Sequence, residues 1–483
     1  MRSTDSLKES PLDALAETAP SPLVQIRPAK RSSHWVPSRY NLKTTSHDGS
    51  YIVWNSYNGA ISVFKPEQKN AVQSMLRDGH SGELKGVAKY LSERGHLVPK
   101  GTNEYRQIQL GFGQAHYRQD ILELILLSSE DCNFRCKYCY EDFLRGTMQP
   151  WVREGIKKMV AERAPYLKHL GISWFGGEPL YGFKAIEELA PFFLETAEKH
   201  SLTLYSHMTT NGYLLTPDVA EKLLAWKVTH YQITVDGLAE QHDRSRPTRD
   251  GEGTFDTIWA NLLALKKRDE QFRVVIRVNY DRENYPHLEG LLAQVQKDFK
   301  GDPRFRVDLH SVGQWGGKND ANLPVCGVDE RKVVKAQLQQ SLLDKGLARG
   351  GSLRDVNSMG KGVCYAARPY NFIIGADGKL MKCTVALDKQ DHNVVGRITR
   401  DGEMILDRAN FALWTEPAFE SDEGCRKCSL LPTCQGISCP LIRIEHNTSP
   451  CGATFKKNIR EELLMTYEGH RHEAREVRVP GHD

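Results

Sequence analysis

Cys132-Asn-Phe-Arg-Cys136-Lys-Tyr-Cys139-Tyr140 places three thiols in one short loop. The residues before it, Ile121-Leu-Glu-Leu-Ile-Leu-Leu-Ser128, form an apolar run that reads as a buried strand. The thiols therefore stand just past the carboxyl end of a strand, where α/β barrels and sheets carry their chemistry. Three soft ligands in one loop suit three irons of a [4Fe–4S] cluster, leaving the fourth iron open to a substrate or cosubstrate. The competing readings are a zinc site and unrelated buried thiols. Zinc usually takes four ligands from CxxC pairs, and the loop offers no evident fourth.

Outward from the loop, residues 121 to about 312 alternate strand and helix. Strands are expected at 121–128, 170–175, 202–209, 231–236, 272–279 and 304–311, with helical patterns at 151–167, 183–200, 216–226, 253–269 and 285–298. β/α units in series imply a parallel sheet. Short motifs follow the strands: Gly176-Gly177-Glu178-Pro179 after the second, Thr209-Thr-Asn211-Gly212 after the third, Val235-Asp236-Gly237 after the fourth and Ile276-Arg-Val-Asn279 in the fifth. Arg246 lies a short loop beyond Asp236. The glycines allow close backbone approach to a ligand, and Glu178 can accept hydrogen bonds from an ammonium group. Singly, each motif reads better as a turn, a hairpin signal or a surface ion pair; together, in register at successive strand ends, they mark a site.

CxxxCxxC with Tyr138 before the last cysteine, followed by these motifs, resembles the radical S-adenosylmethionine (SAM) enzymes. The resemblance implies a partial (β/α)6 barrel in which Cys132, Cys136 and Cys139 hold a [4Fe–4S] cluster. It implies that the open iron chelates SAM and that reductive cleavage yields a 5′-deoxyadenosyl radical able to abstract hydrogen from an unactivated C–H bond. By the same resemblance the Gly176-Gly177-Glu178 motif receives the SAM amino group. Tyr138, Asn211, Asp236, Arg246 and Asn279 complete the cofactor-binding set.

Eleven cysteines in a chain without an apolar signal core point to metal binding and not to disulfides, and to the cytoplasm. After the loop comes Cys326; the other seven fall between Cys364 and Cys451. Gly375-Ala-Asp-Gly378 between apolar runs makes a hairpin expected to bring Cys364 and Cys383 together. The pattern Cys364-x13-Gly378-x4-Cys383, then Cys425-x2-Cys428-x5-Cys434-x4-Cys439, then Cys451, resembles the SPASM extension of radical SAM enzymes. That extension holds two auxiliary [4Fe–4S] clusters. By resemblance Cys425, Cys428, Cys434 and Cys451 ligate the outer cluster, and Cys364, Cys383 and Cys439 the inner one. Cys326 is expected to complete the inner cluster, the alternatives being a buried free thiol and an inner cluster with an open site. The last spacing has four residues where the family pattern has three. Paired thiols also suit a zinc ribbon.

Residues 36–115 form a segment of their own, with strands near Tyr40–Lys43, Ser50–Trp54 and Ala60–Phe64 and helical patterns over Pro66–Arg77 and Gly82–Glu93. This winged-helix-like layout is similar to the peptide-binding domains of peptide-modifying enzymes; a capping domain is the alternative. The expected organisation is a disordered lead (1–35), the winged-helix-like domain (36–115), the partial barrel (116–315), a connector with a helix near 328–346 (316–363), the SPASM domain (364–465) and a polar tail (466–483). With 40% hydrophobic and 26% charged residues and a net charge of +4, the chain carries no nucleic-acid footprint, and no apolar run approaches a membrane span.

The resemblance implies a radical SAM/SPASM maturase that abstracts hydrogen from a ribosomal precursor peptide, fed by an external electron donor such as ferredoxin or flavodoxin. The alternatives are an anaerobic sulfatase-maturating (formylglycine-forming) enzyme and a small-molecule radical SAM enzyme. Sulfatase-type members usually carry an Asp where this chain has Thr384. An iron–sulfur electron carrier would not need the strand-end motifs.

Overall fold

The computed structural model describes residues 32–143, 145–347, 364–387, 390–420, 422–434, 439–446, 459–461, 463–464 and 466–468. The lead before residue 32, the Gly-rich stretch at 349–352, Cys451 and the tail from 469 lie outside the described residues. The chain forms two compact units, one of 1–116, 349–364 and 416–483, the other of 117–348 and 365–415.

The second unit is built on a ten-stranded sheet. Six parallel strands follow one another: β7 (Ile121–Ser129), β8 (His169–Gly176), β9 (Thr203–Thr210), β10 (Val228–Thr234), β11 (Arg273–Tyr280) and β12 (Phe305–Ser311). Helices Pro150–Arg163, Phe183–His200, Pro217–Ala225, Phe255–Lys266 and Leu288–Phe299 connect them. Each strand sends alternate residues to opposite faces. On β8 the buried Leu170, Ile172 and Trp174 alternate with the less buried Gly171, Ser173 and Phe175. Local signals match the helix starts: Pro217 occupies the first turn of its helix, whose cap Thr216 accepts from the Val219 N–H. This is the partial (β/α)6 barrel that the sequence predicts.

The sheet continues beyond β7. β13 (Asn371–Ile374) lies parallel to β7, and β14 (Lys379–Met381), β15 (Val394–Ile398) and β16 (Met404–Leu406) follow antiparallel. The expected hairpin at Gly375–Gly378 is present as β13–β14, with Ile373 and Met381 packed against Ile125 and Leu127 of β7. Gly378 has φ +81°, and a Cβ there would stand 2.5 Å from the Trp151 ring. The cysteine-rich region thus divides. Its first part, 365–415, extends the barrel sheet, and the part from 416 packs with the N-terminal segment.

In the first unit, β1 (His34–Pro37) pairs with β5 (His80–Ser81) and β6 (Leu97–Pro99). A second sheet joins β2 (Asn41–Thr45), β3 (Tyr51–Asn55) and β4 (Ile61–Phe64). Helices Lys69–Asp78 and Gly86–Glu93 bury Val72, Leu76 and Leu91 against Trp35, Tyr51, Val53 and Phe64. The sheet β5–β1–β6 and the helix Glu104–His116 were not anticipated. The connector helix spans Val328–Asp344. Among the described residues no helix is long and apolar enough to cross a membrane.

Candidate active site

Past Ser129, the cysteine loop is strapped on two sides. On one, Arg135 and Lys137 donate backbone N–H groups to Pro247 O (3.0 Å) and Ser245 O (2.9 Å), and Arg249 donates to Asn133 O (2.8 Å). On the other, Gly177 and Glu178 donate to Ser129 O (3.2 Å) and Asp131 O (3.1 Å). Gly176 has φ +127°, and a Cβ at Gly177 would stand 2.7 Å from Asp131 O and 3.1 Å from the Cys132 Cβ. The glycine pair is therefore required by the close approach of the β8 end to the loop.

Cys132 is buried, and Cys136 and Cys139 are partly so. Burial pushes the Cys132 thiol well up, reinforced by Glu178 and by Cys136 and Cys139. Burial, Glu141 and Cys136 push Cys139 up to about 12. Three crowded thiols that resist losing protons become thiolates when a cation offsets their charge. The Phe134 N–H (3.3 Å) and Asn211 Nδ2 (3.9 Å) already point at Cys132 Sγ, as donors to a ligating sulfur do. Among the described residues, no three His, Cys, Asp or Glu side chains converge tightly enough for a single metal ion.

Beside the thiols lies a buried hydrogen-bond hub. The Tyr138 hydroxyl donates to Asp236 Oδ2 and accepts from Arg246 Nη1 (2.6 Å) and Asn279 Nδ2 (3.0 Å). Asp236 Oδ1 accepts from the Asn279 N–H (2.8 Å), and Arg277 Nε holds Asn279 Oδ1 at 2.9 Å. Burial raises the Tyr138 pKa well above the phenol range, so the hydroxyl stays a donor. Arg246 Nε and His242 Nε2 are buried without a hydrogen-bond partner, which leaves polar capacity for a ligand beside the loop.

Glu178 is fully buried and engaged. Its carboxylate accepts from the Leu180 N–H (2.9 Å), Thr210 Oγ1 (2.7 Å) and the Asn211 N–H (2.7 Å). Burial raises its pKa against these three bonds, which favour the charged form. Its observed role is to clamp the β8 end to the Thr210–Asn211 turn. Asn211 in turn donates Nδ2 to Asn133 Oδ1 (2.8 Å) in the cysteine loop.

Sequence motifs did not single out the polar residues that share a sheet face with Phe175, Thr209 and Asn279. Ser173 Oγ meets His207 Nδ1 at 3.0 Å, and Asp308 pairs with His310 at 3.1 Å. The β-strand alternation carried that information, since these residues share parity with Phe175, Thr209 and Asn279.

The remaining cysteines stand on other elements of the chain. Cys326 is buried, and the charged groups acting on its thiol are Glu330, Asp281, Arg282 and Arg331. Cys383 is buried beside Asn393, whose Oδ1 takes its N–H at 2.8 Å, and its thiol acts on Tyr140. Cys425, Cys428 and Cys434 lie on consecutive turns of the first unit, where the Cys428 N–H donates to Cys425 O at 3.0 Å. Cys364 and Cys439 are partly buried.

Residues 126–295 match the Radical SAM superfamily. The radical SAM cyclopropyl synthase TigE of Paramaledivibacter caminithermalis is 22% identical over 459 residues, covering 83% of this chain and 88% of that protein. A cysteine-type anaerobic sulfatase-maturating enzyme of Clostridium novyi is 28% identical over 189 residues, 37% of this chain and 48% of the relative. Among solved structures, anSMEcpe with bound AdoMet and Cp18Cys peptide superposes with a TM-score of 0.55 at 19% identity, over 74% of this chain and 99% of that one. With the cysteine loop and the partial barrel, these matches identify a radical SAM domain over residues 126–295 and indicate an enzyme; a [4Fe–4S] cluster and SAM are the cofactors that this superfamily implies.

Proposed function

We propose that this enzyme is a peptide maturase. The cluster and SAM supply a 5′-deoxyadenosyl radical, and the chain's residues orient its attack on a C–H bond of a ribosomal precursor peptide, leading to a cross-link or other modification. Cys132, Cys136 and Cys139 hold the cluster; the Tyr138–Asp236–Arg246–Asn279 hub fixes the loop that carries them; the Gly176-Gly177-Glu178 turn and Asn211 shape the SAM pocket. The observation that carries the reading is the architecture: a partial barrel joined to a small sheet-and-helix segment and a cysteine-rich region. The likeness to TigE along most of both chains supports it, as does the fold shared with a peptide-bound structure.

Cys364, Cys383, Cys439 and Cys326 are assigned to an inner auxiliary cluster, and Cys425, Cys428, Cys434 and Cys451 to an outer one, giving three clusters. The eleven thiols fit a reducing, cytoplasmic setting, with a ferredoxin or flavodoxin as electron donor. The 36–115 segment is assigned to recruiting the peptide, by pairing an extended strand with a sheet edge.

The sulfatase-maturating alternative is disfavoured at Thr384. The Thr384 hydroxyl lies 2.8 Å from the Tyr365 hydroxyl, and no carboxylate stands at this position to act as a base. The test is to incubate the reconstituted enzyme, SAM and reductant with short peptides encoded beside its gene, and with an eighteen-residue-scale sulfatase peptide. A mass change in a neighbour-encoded peptide is the expected result. Formylglycine in the sulfatase peptide alone would overturn the reading.

A further inference from the structure

β3 is buried along its whole length, five residues in succession. A strand of a two-layer domain would alternate; continuous burial requires a cover on each face. Tyr51 and Val53 face the domain's own helices, in the core with Val72, Leu76 and Leu91. Ile52 and Trp54 face the other way, into a core with Ile61, Leu430, Ile459 and Leu463, with Cys428 packed at its margin. The second cover is thus chain from the far end of the sequence, including the turns that carry Cys425, Cys428 and Cys434.

Hydrogen bonds fix the registration. Ser56 Oγ donates to Ser429 O (2.5 Å), one residue after Cys428, and Thr433 Oγ1, one residue before Cys434, donates back to Ser56 O (3.0 Å). Arg39 Nη2 donates to Arg426 O, between Cys425 and Cys428. Below this, the Tyr467 hydroxyl bonds Asp48 Oδ2 (3.0 Å) and Ser50 Oγ (3.1 Å). Each cysteine of this group therefore has a neighbour tied to residues that flank the N-terminal sheet, and Trp54 packs in the core against which Cys428 lies. The Cys425–Cys434 turns are short helices of four or five residues, too short to hold a geometry alone.

We propose that the β2–β3–β4 sheet is the platform that positions Cys425, Cys428 and Cys434, with Trp54, Ser56 and Arg39 as positioning residues for the outer metal site. The N-terminal segment is on this account a built-in wall of that site as well as a peptide-recognition module. The inference rests on the reading that these thiols hold an auxiliary cluster.

The experiment compares full-length reconstituted wild type with Trp54→Ala, Trp54→Phe, Val53→Ala and Thr433→Val, reading iron per chain and the EPR-monitored reduction of each cluster. Trp54→Ala is expected to lose roughly a third of the iron, one cluster of three, and Trp54→Phe to retain it. Val53→Ala weakens the same strand from its opposite face and should keep full iron despite a lower melting temperature. Thr433→Val should shift the midpoint of one auxiliary signal and leave the SAM-site signal in place. Equal iron loss in Val53→Ala and Trp54→Ala would mean general unfolding and overturn the platform; so would full iron and unshifted signals in Trp54→Ala and Thr433→Val. Wild type that binds iron for one cluster only would instead overturn the auxiliary-cluster reading beneath it.

Discussion

One phenol oxygen, that of Tyr138, uses its donor and both acceptor positions on Asp236, Arg246 and Asn279, groups 98 to 141 residues away in sequence. Tyr138→Phe leaves a buried carboxylate and a buried guanidinium each short of a partner, at a cost of about 1–3 kcal/mol. Urea denaturation of the metal-free protein should show that loss; an unchanged midpoint would contradict the hub. The same logic applies to Glu178→Ala, which orphans the donors of Leu180, Thr210 and Asn211 and should cost at least as much. A third residue sets a pH dependence. His96 is fully buried, bonded to Ser62 Oγ (2.8 Å) and Asn41 Oδ1 (3.0 Å), and burial lowers its pKa from 6.5 to about 3. A folded pKa below the unfolded one favours the neutral form, so its contribution is complete above pH 6.5 and declines as pH falls toward 3. The slope approaches 1.4 kcal/mol per pH unit. Melting curves between pH 7 and 5 should show this decline, and His96→Gln should flatten it. The sequence pointed to Tyr138, Asp236, Arg246 and Asn279 as a group. It could not disclose that they bond to one another, because each stands on a different loop or strand end and only tertiary structure joins them.

The barrel strands were legible because their apolar runs are long and punctuated by Gly, Thr-Asn-Gly and Asp-Gly turns; β7 to β12 fall within a few residues of the expected ranges. The sheet β5–β1–β6 was not legible, since its strands have two to four residues and no periodicity can be read from so few. The helix Glu104–His116 was hidden by Gly111 and Gly113 inside it. These cases give opposite predictions for glycine. A Cβ at Gly111 meets nothing within 4 Å, so Gly111→Ala should stabilise the protein by about 0.5–1 kcal/mol. At Gly177 the Cβ would press on the Asp131 carbonyl at 2.7 Å, displacing the cysteine loop. Gly177→Ala should lower iron incorporation and cost roughly 1–3 kcal/mol. Iron assays and thermal melts on the pair test both; equal iron in the two variants would contradict the tight β8–loop contact.

At the scale of the molecule, a linear reading draws boundaries where composition shifts, but folding joins distant segments. Ile52 and Trp54 read as an ordinary hairpin strand until Leu430, Ile459 and Leu463 are found against them. The β13–β14 hairpin reads as part of a C-terminal domain until its parallel pairing with β7 places it in the barrel sheet. The motifs themselves were sufficient to point to the radical SAM superfamily, because loop spacing and strand-end position are local properties. The central claim is that the Cys132–Cys139 loop supports reductive cleavage of SAM. Its most direct test is the yield of 5′-deoxyadenosine when reconstituted protein is mixed anaerobically with SAM and dithionite. The account predicts 5′-deoxyadenosine and methionine from the wild type and none from Cys136→Ala; cleavage that survives in Cys136→Ala, or is absent from iron-replete wild type, would contradict it.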